Sequence, residues 1–449
     1  LNVWVAPASD PKAAKVVTND TSRGIRQFFW AHTNSHILYL QDKDGDENWK
    51  VFSVDLSTNT TKDLTPIDEI IVDGKPFEQG GKKLRPTARI EAVSERFPDE
   101  IIIGLNSRNP QLHDLHRVNI KTGAMTKVLE NSMFVGFDLD DDFRVRLGAQ
   151  MQPDGGHLLH KNVNWNSPGA DIKFEPWEKI GQEDALTSSP TSWSKDGGTL
   201  YMSDSRGRNT GALFAVDMAT SKKSLVAENP KADTGGVVIH PQTKAIQAVG
   251  FNYLRNEWTV LDPALQKDLD YLKSISGGEI TIGSRSLDDQ VWTVSFADDA
   301  APTKSFIYDR VNKKATFVFT NFSALEGQSL ATMHPLVIKS RDGLDLVSYL
   351  TLPVGSYKEA TGSTPRPNAP LPMILVVHGG PWARDAWGYN ALHQWLANRG
   401  YAVLSVNFRG STGFGKDFIN AGNREWAGKM HDDLIDAVNW AVEHKVADK

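Results

Sequence analysis

Up to about residue 325 the chain alternates short apolar runs with polar turns, and no long stretch repeats its apolar positions at helical spacing. That pattern predicts an all-β structure. One unit recurs: an aromatic or apolar strand, a polar turn, a second strand, then a strand ending in Val-Asp or Val-Asn and a Thr/Ser/Gly-rich hairpin. The clearest copies start at Phe28 (FFWAHTNSHILYLQDKDGDENWKVFSVDLSTNTTKDLT) and at Thr191 (TSWSKDGGTLYMSDSRGRNTGALFAVDMATSKKSLV). Looser copies start at Ala88, Met133, Gly235 and Ile280, so the units lie about 45–60 residues apart, near the length of a four-stranded propeller blade.

One four-stranded sheet cannot bury both of its faces, but sheets stacked radially cover one another. Six units are visible, and LNVWVAPASDPKAAKVV at the start reads as the last two strands of another. The expectation is a β-propeller of about seven blades over residues 1–330, its first blade incomplete.

Near residue 333 the pattern changes. HPLVIKSRDGLDLVSYLTLPVG reads as a hairpin, and residues 356–372 form a Pro/Ser/Thr-rich loop. MILVVHGG is a buried-strand run, and WGYNALHQWLANRG is an amphipathic helix closed by Gly400. YAVLSVNF is a second buried strand, and AGKMHDDLIDAVNWAVEH a helix with Met430, Leu434, Ala437 or Val438, and Ala441 on one face. Strands alternating with helices predict the opening of a doubly wound parallel sheet over residues 331–449.

Composition narrows the function. At 449 residues two or three domains are expected, and 40% hydrophobic with 23% charged residues describes a soluble globular protein. A net charge of −6 argues against a nucleic-acid partner. No stretch approaches the ~18 consecutive apolar residues of a membrane span. There is no cysteine, which excludes disulfides, thiolate metal sites and a cysteine nucleophile and leaves the compartment open between cytoplasm and periplasm. No signal-peptide pattern opens the chain. It begins with Leu1, so the natural N-terminus is expected to be missing, and any leader with it.

The chemistry gathers at two strand ends. In open α/β sheets ligands sit beyond the C-terminal ends of the strands. His378-Gly379-Gly380-Pro381 follows MILVV there, and RGSTGFG follows YAVLSVNF. Two glycines let a substrate carbonyl approach backbone N–H groups, the job done by the HGGG-type loop of esterases and lipases.

HGGP, an aromatic-rich helix, NFRGSTGFGKDF and W-x-x-x-x-x-D-D-L-x-D-A-V together resemble the prolyl oligopeptidase family of serine peptidases, most of all its acylaminoacyl-peptidase and dipeptidyl-aminopeptidase branch. That resemblance implies a β-propeller followed by the N-terminal portion of an α/β-hydrolase domain. It implies Gly380, with Gly379 beside it, as the oxyanion-hole backbone. Pro381, Trp382 and Arg409 are expected near substrate, Arg409 mainly as a structural group tied to a carboxylate or carbonyls. No cofactor is implied.

The chain departs from the family at the nucleophile. No serine has glycine at both the second position before and the second position after it, so G-x-S-x-G is absent. The catalytic serine, aspartate and histidine are therefore expected on a C-terminal fragment of the same hydrolase, a partner to this chain, and the chain alone is expected to be inactive. The substrate is expected to be a short peptide or an ester. A carboxylesterase with the same machinery and a non-catalytic binding propeller are the alternatives, and homo-oligomerisation is left open.

Other residues have plainer readings. His378 precedes the oxyanion glycines and is expected to hold the loop by hydrogen bonds. His431-Asp432-Asp433 and Glu443-His444 are expected on a solvated or interface face of their helix. His113 and His116 lack partners at metal spacing, and no metal is expected. The DKDGDENW loop (42–49), with Glu47, would suit a peptide amino group but reads more simply as a solvated turn. Arg144, Arg146, Arg206 and Arg208 would suit a carboxylate. Asn59 and Asn321 open formal glycosylation sequons.

Overall fold

The computed structural model describes the chain except for residues 168, 170 and 358–364, so part of the expected 356–372 loop lies outside the described residues. Two compact units are present, Leu1–Ala185 and Leu186–Lys449.

The first unit is a series of antiparallel sheets. Trp4–Val5 pairs with Lys15–Val16, as the opening segment predicts. Three four-stranded sheets follow in simple up-and-down order. The first runs Gln27–Trp30, His36–Gln41, Lys50–Asp55 and Thr60–Asp63. The second spans Ala88–Val93 to Met125–Leu129, and the third Gly136–Leu139 to Phe174–Ile180. They match the units read from Phe28, Ala88 and Met133. Successive side chains on a strand point to opposite faces, and the Glu100–Asn109 strand uses both. Ile101, Ile103 and Leu105 pack with Leu38 and Val51 of the first sheet. Ile102 packs with Phe143 and Val145 of the third. Each sheet thus covers its neighbour.

The second unit continues the series with a four-stranded sheet from Ser189–Trp193 to Lys223–Ala227 and another from Glu279–Arg285 to Lys314–Thr320. Between them the sheet has three strands, Thr234–Ile239, Ile246–Asn252 and Asn256–Val260. A helix, Pro263–Lys273, follows where another strand was expected. Asp262 caps it by accepting from Ala264 N–H, and proline occupies the first turn. Its Leu265, Leu269 and Leu272 are buried between the three-stranded sheet and the next, alongside Val238, Ala248, Trp292 and Phe296.

The last sheet is mixed, not purely parallel as expected. Its order is Met333–Lys339, Asp345–Thr351, Ala402–Val406, Met373–Val376. Met333–Lys339 and Asp345–Thr351 form the expected hairpin, and Ala402–Val406 runs antiparallel to Asp345–Thr351. Only Met373–Val376 and Ala402–Val406 are parallel. All five residues of the Ala402 strand are buried. The Met373 strand, at the sheet's end with one neighbour, is half-buried. Helices cover both faces: Leu396 and Ala397 of Ala391–Ala397 pack on Val403, and Ala437 and Ala441 of Lys429–Glu443 join the cluster of Leu350, Leu404 and Val406. Asn390 caps the first helix from its side chain, and Gly400 (φ 89°) ends it, as the sequence predicts. Among the described residues no helix is long and apolar enough to cross a membrane.

Asp299 joins the mixed sheet to the sheet before it. Its carboxylate accepts from Met333 N–H at 2.7 Å. The Gln394 side chain bridges Asp299 O (3.0 Å) and Ala331 O (2.7 Å). Burial, helped by the neighbouring Asp298 carboxyl, pushes Asp299 up from its ordinary 3.8 to about 6. A raised carboxyl binds its proton more tightly when folded, so this group's stabilising contribution is complete below pH 3.8 and is lost as pH rises through 6. Asp299→Asn keeps an acceptor for Met333 and removes the charge. The variant should melt like the parent near pH 4 and be more stable above pH 7, by on the order of 2 kcal/mol; thermal melts across that range check it.

Candidate active site

Because the Met373 and Ala402 strands are parallel and in register, with Val376 opposite Ser405, the chain leaves both at the same end. The HGGP loop and the NFRGSTGFG loop therefore meet. Thr412 N–H donates to Ala383 O at 3.0 Å, and His378 Nε2 lies 2.9 Å from Ser411 Oγ. Asn407, fully buried, ties the second loop to the first. Its side chain accepts from Asp385 N–H (2.8 Å) and donates to Asp385 O (3.2 Å) and Val347 O (3.0 Å).

The two glycines differ. Gly380 has φ 128°, and a Cβ there would fall 2.7 Å from Trp382 N, so the backbone path itself requires glycine. A Cβ on Gly379 would meet nothing within 4 Å. Neither N–H has a hydrogen-bond partner among the described residues. Both glycines are exposed, Pro381 is half-buried, and Trp382 is 60% exposed at the loop's tip.

His378 holds this loop, as expected. Its ring stacks on Phe408 at 4.7 Å, with Nδ1 2.9 Å from Gly379 O. A second histidine escaped the sequence reading. His393 is 1% exposed between Thr351 Oγ1 (3.0 Å) and Ser405 Oγ (2.8 Å), and burial pushes it down to about 4. It is a neutral core residue. Its helical spacing from other apolar residues was the one available signal.

Arg409 is 3% exposed, and carboxylates occupy both edges of its guanidinium. Asp433 accepts from Nε and Nη2 (2.9 and 2.7 Å), and Asp342 from Nη1 and Nη2 (2.9 and 2.8 Å). Hydrogen bonds from Arg409 hold the Asp342 carboxyl well below the usual carboxylate range. Of the solvated or interface face expected for this part of the helix, Asp433 takes no solvated place: it is fully buried against Arg409. Asp432 fits that reading, being exposed beside Arg341. His444 stacks on Trp440 and bonds its carbonyl.

The other candidates belong to the first unit or are already paired. Glu47 is exposed in the 42–49 loop of the first unit, where Asp42 is the buried carboxylate, accepting from Glu47 N–H and pairing with Arg23. His113 and His116 are half-buried or deeper in their strand, and burial pushes both down, His113 to about 4. Arg144 pairs with Asp142, Arg146 with Asp140, Arg206 with Asp204 and Arg208 with Glu228. Among the described residues no three His, Asp or Glu side chains gather as a metal site. Removing Arg409 strands Asp433 without a cation. Arg409→Met should therefore cost about 3–5 kcal/mol in denaturant unfolding of the protein, whereas breaking the exposed pair Arg341–Asp432 should cost far less.

Residues 387–449 match the family model described as the prolyl oligopeptidase family. Dipeptidyl aminopeptidase BIII of Pseudoxanthomonas mexicana is 46% identical over 447 residues, covering 99% of this chain and 61% of that protein. Dipeptidyl peptidase family member 6 of Caenorhabditis elegans is 31% identical, covering 97% of this chain and 60% of that protein. The chain thus spans about three fifths of the length of these relatives. Among solved structures, a Mycobacterium tuberculosis puromycin-hydrolyzing peptidase superposes with TM-score 0.66 at 12% identity, over 97% of this chain and 66% of that one. A puromycin hydrolase superposes with TM-score 0.62 at 16% identity, over 92% and 62%. These structures share the fold, and the match of family model and relatives to the motifs places the chain in the prolyl oligopeptidase family.

Proposed function

We propose that the chain supplies a β-propeller of about seven blades (1–330) and the N-terminal portion of an α/β-hydrolase domain (331–449) to a serine peptidase of the prolyl oligopeptidase type. The substrates are short peptides or N-terminally blocked peptides. The observation that carries this reading is the free N–H of Gly380, held at the C-terminal end of a sheet strand by a backbone only glycine can adopt. The relatives' names, dipeptidyl aminopeptidase and dipeptidyl peptidase, favour peptides over esters.

In this mechanism a serine Oγ attacks the scissile carbonyl while a histidine takes its proton and an aspartate orients that histidine. The oxyanion receives the Gly380 N–H and the N–H of the residue after the serine. Collapse of the intermediate releases the amine, protonated by the histidine, and water then hydrolyses the acyl-enzyme. Serine, histidine and aspartate belong to a C-terminal part of the hydrolase beyond residue 449. Its first strand is assigned to the open flank of the Met373 strand, which has one neighbour and is half-buried.

In the protein from its natural source, a fluorophosphonate probe should label a serine outside residues 1–449. Labelling within them, or none, would overturn the reading. Turnover of peptidyl anilides should exceed that of short p-nitrophenyl esters with the same acyl group; the reverse order would make the protein an esterase. Gly380→Ala should lower kcat by roughly 100-fold, and Gly379→Ala by much less.

A further inference from the structure

The glycine loop after the Ala402 strand is gripped from two sides. Ser411 and Thr412 meet the HGGP loop, at His378 and Ala383. The next residues, 413–417, lie against two connections of the sheets that precede the mixed sheet, all within the second unit. One connection, residues 205–211, joins the strands Thr199–Asp204 and Ala212–Asp217. The other, residues 228–233, joins Lys223–Ala227 to Thr234–Ile239.

Asp233 ties these three segments together. Its Oδ1 accepts from Gly211 N–H at 2.7 Å and its Oδ2 from Gly415 N–H at 3.0 Å. Its own N–H donates to Gly413 O at 3.2 Å. One aspartate therefore holds a single turn of the glycine loop by both a carbonyl and an N–H. The opposite side of the clamp is itself fixed, because Gly211 O accepts from the N–H and the hydroxyl of Thr234 (2.8 and 2.9 Å). Asn209 adds a second hold: its carbonyl accepts from Lys416 N–H (3.0 Å) and its Oδ1 from Asp417 N–H (2.9 Å).

The glycines of this turn answer to the same contacts. Gly415 has φ 89°, and a Cβ there would fall 2.6 Å from Asn209 Oδ1. Gly413 has φ 91°, and its Cβ would fall 2.5 Å from Arg384 Nη1. In both places the space beside the backbone is filled by protein.

We propose that Asp233 is a positioning residue for the oxyanion loop. It fixes the turn at 413–415, and the residues just before that turn hold His378 and Ala383, which stand on either side of the segment 379–382. The sheets ahead of the mixed sheet thereby take part in aiming the Gly380 N–H. The catalytic half of this statement rests on the peptidase reading above; the grip on the turn does not.

Asparagine at 233 keeps the shape but presents one oxygen and one amide nitrogen, so it can serve Gly211 or Gly415 and not both. In the intact enzyme, amide exchange of Asp233→Asn should quicken in peptides spanning 410–417 and keep the parent rate in the Ala402 strand. Unchanged exchange at 410–417 would overturn the grip. Asp233→Asn should also lower kcat roughly tenfold with KM changed by less than about twofold. Gln394→Ala, which breaks a different junction of the mixed sheet, should lower the melting temperature and leave kcat unchanged. Faster exchange with an unchanged kcat would sink the positioning role, and so would an equal loss of kcat in Gln394→Ala. If Asp233→Asn does not fold, Asn209→Ala decides, with the same changes expected at smaller size. If the parent hydrolyses no peptide, the peptidase reading falls and takes the catalytic half with it, while exchange at 410–417 still judges the grip.

Discussion

The parallel pairing of Met373–Val376 with Ala402–Val406 is the constraint on which the candidate site depends. Antiparallel strands would send HGGP and NFRGSTGFG to opposite ends of the sheet. In parallel they emerge together, and contacts cross between them: His378 to Ser411, Asp385 to Asn407, Ala383 to Thr412. The Ala402 strand can be the inner of the two because all five of its residues are buried and apolar or, at Ser405, bonded to His393. The crossover through the helix Ala391–Ala397 returns the chain to the end at which the Met373 strand began, as a parallel βαβ connection requires.

Charges inside this region are placed so that few are left unmet. Arg409 satisfies a fully buried carboxylate on the Lys429–Glu443 helix and a second one in the turn between the Met333 and Asp345 strands. It therefore fixes the glycine loop relative to three elements at once. Arg384 works outward instead, joining the loop after HGGP to the carbonyls of Asn252 and Tyr253 and stacking over Phe414 at 4.3 Å. Such pairs are weak sources of net stability, because desolvation offsets most of the attraction, but they specify geometry strongly. A site assembled from loops needs that kind of specification.

The sequence was most legible where one periodicity dominates. Alternation over four to eight residues located the four-stranded sheets of both units to within a few residues, because each strand buries one face or both against a neighbouring sheet. The Pro263–Lys273 helix was missed because its eleven residues sit inside a long β pattern. Its signals were local, an Asp-Pro start and three leucines at helical spacing. Direction within the last sheet was illegible, since a buried strand reads alike whether its neighbour is parallel or antiparallel. At the site, HGGP and Arg409 could be found as motifs. The burial of Asp433 could not, because its partner stands 24 positions away and only packing brings the two together.

The Glu100–Asn109 strand, which gives Ile101, Ile103 and Leu105 to one neighbouring sheet and Ile102 to the other, has a consequence for how mutations combine. Adjacent positions in the chain belong to different energetic neighbourhoods, while positions two apart share one. Substitutions at 102 and 103 should be nearly additive, and those at 101 and 103 should be coupled. Epistasis along such a strand follows parity rather than distance in sequence, so a variant library read position by position would find its interactions skipping every second residue.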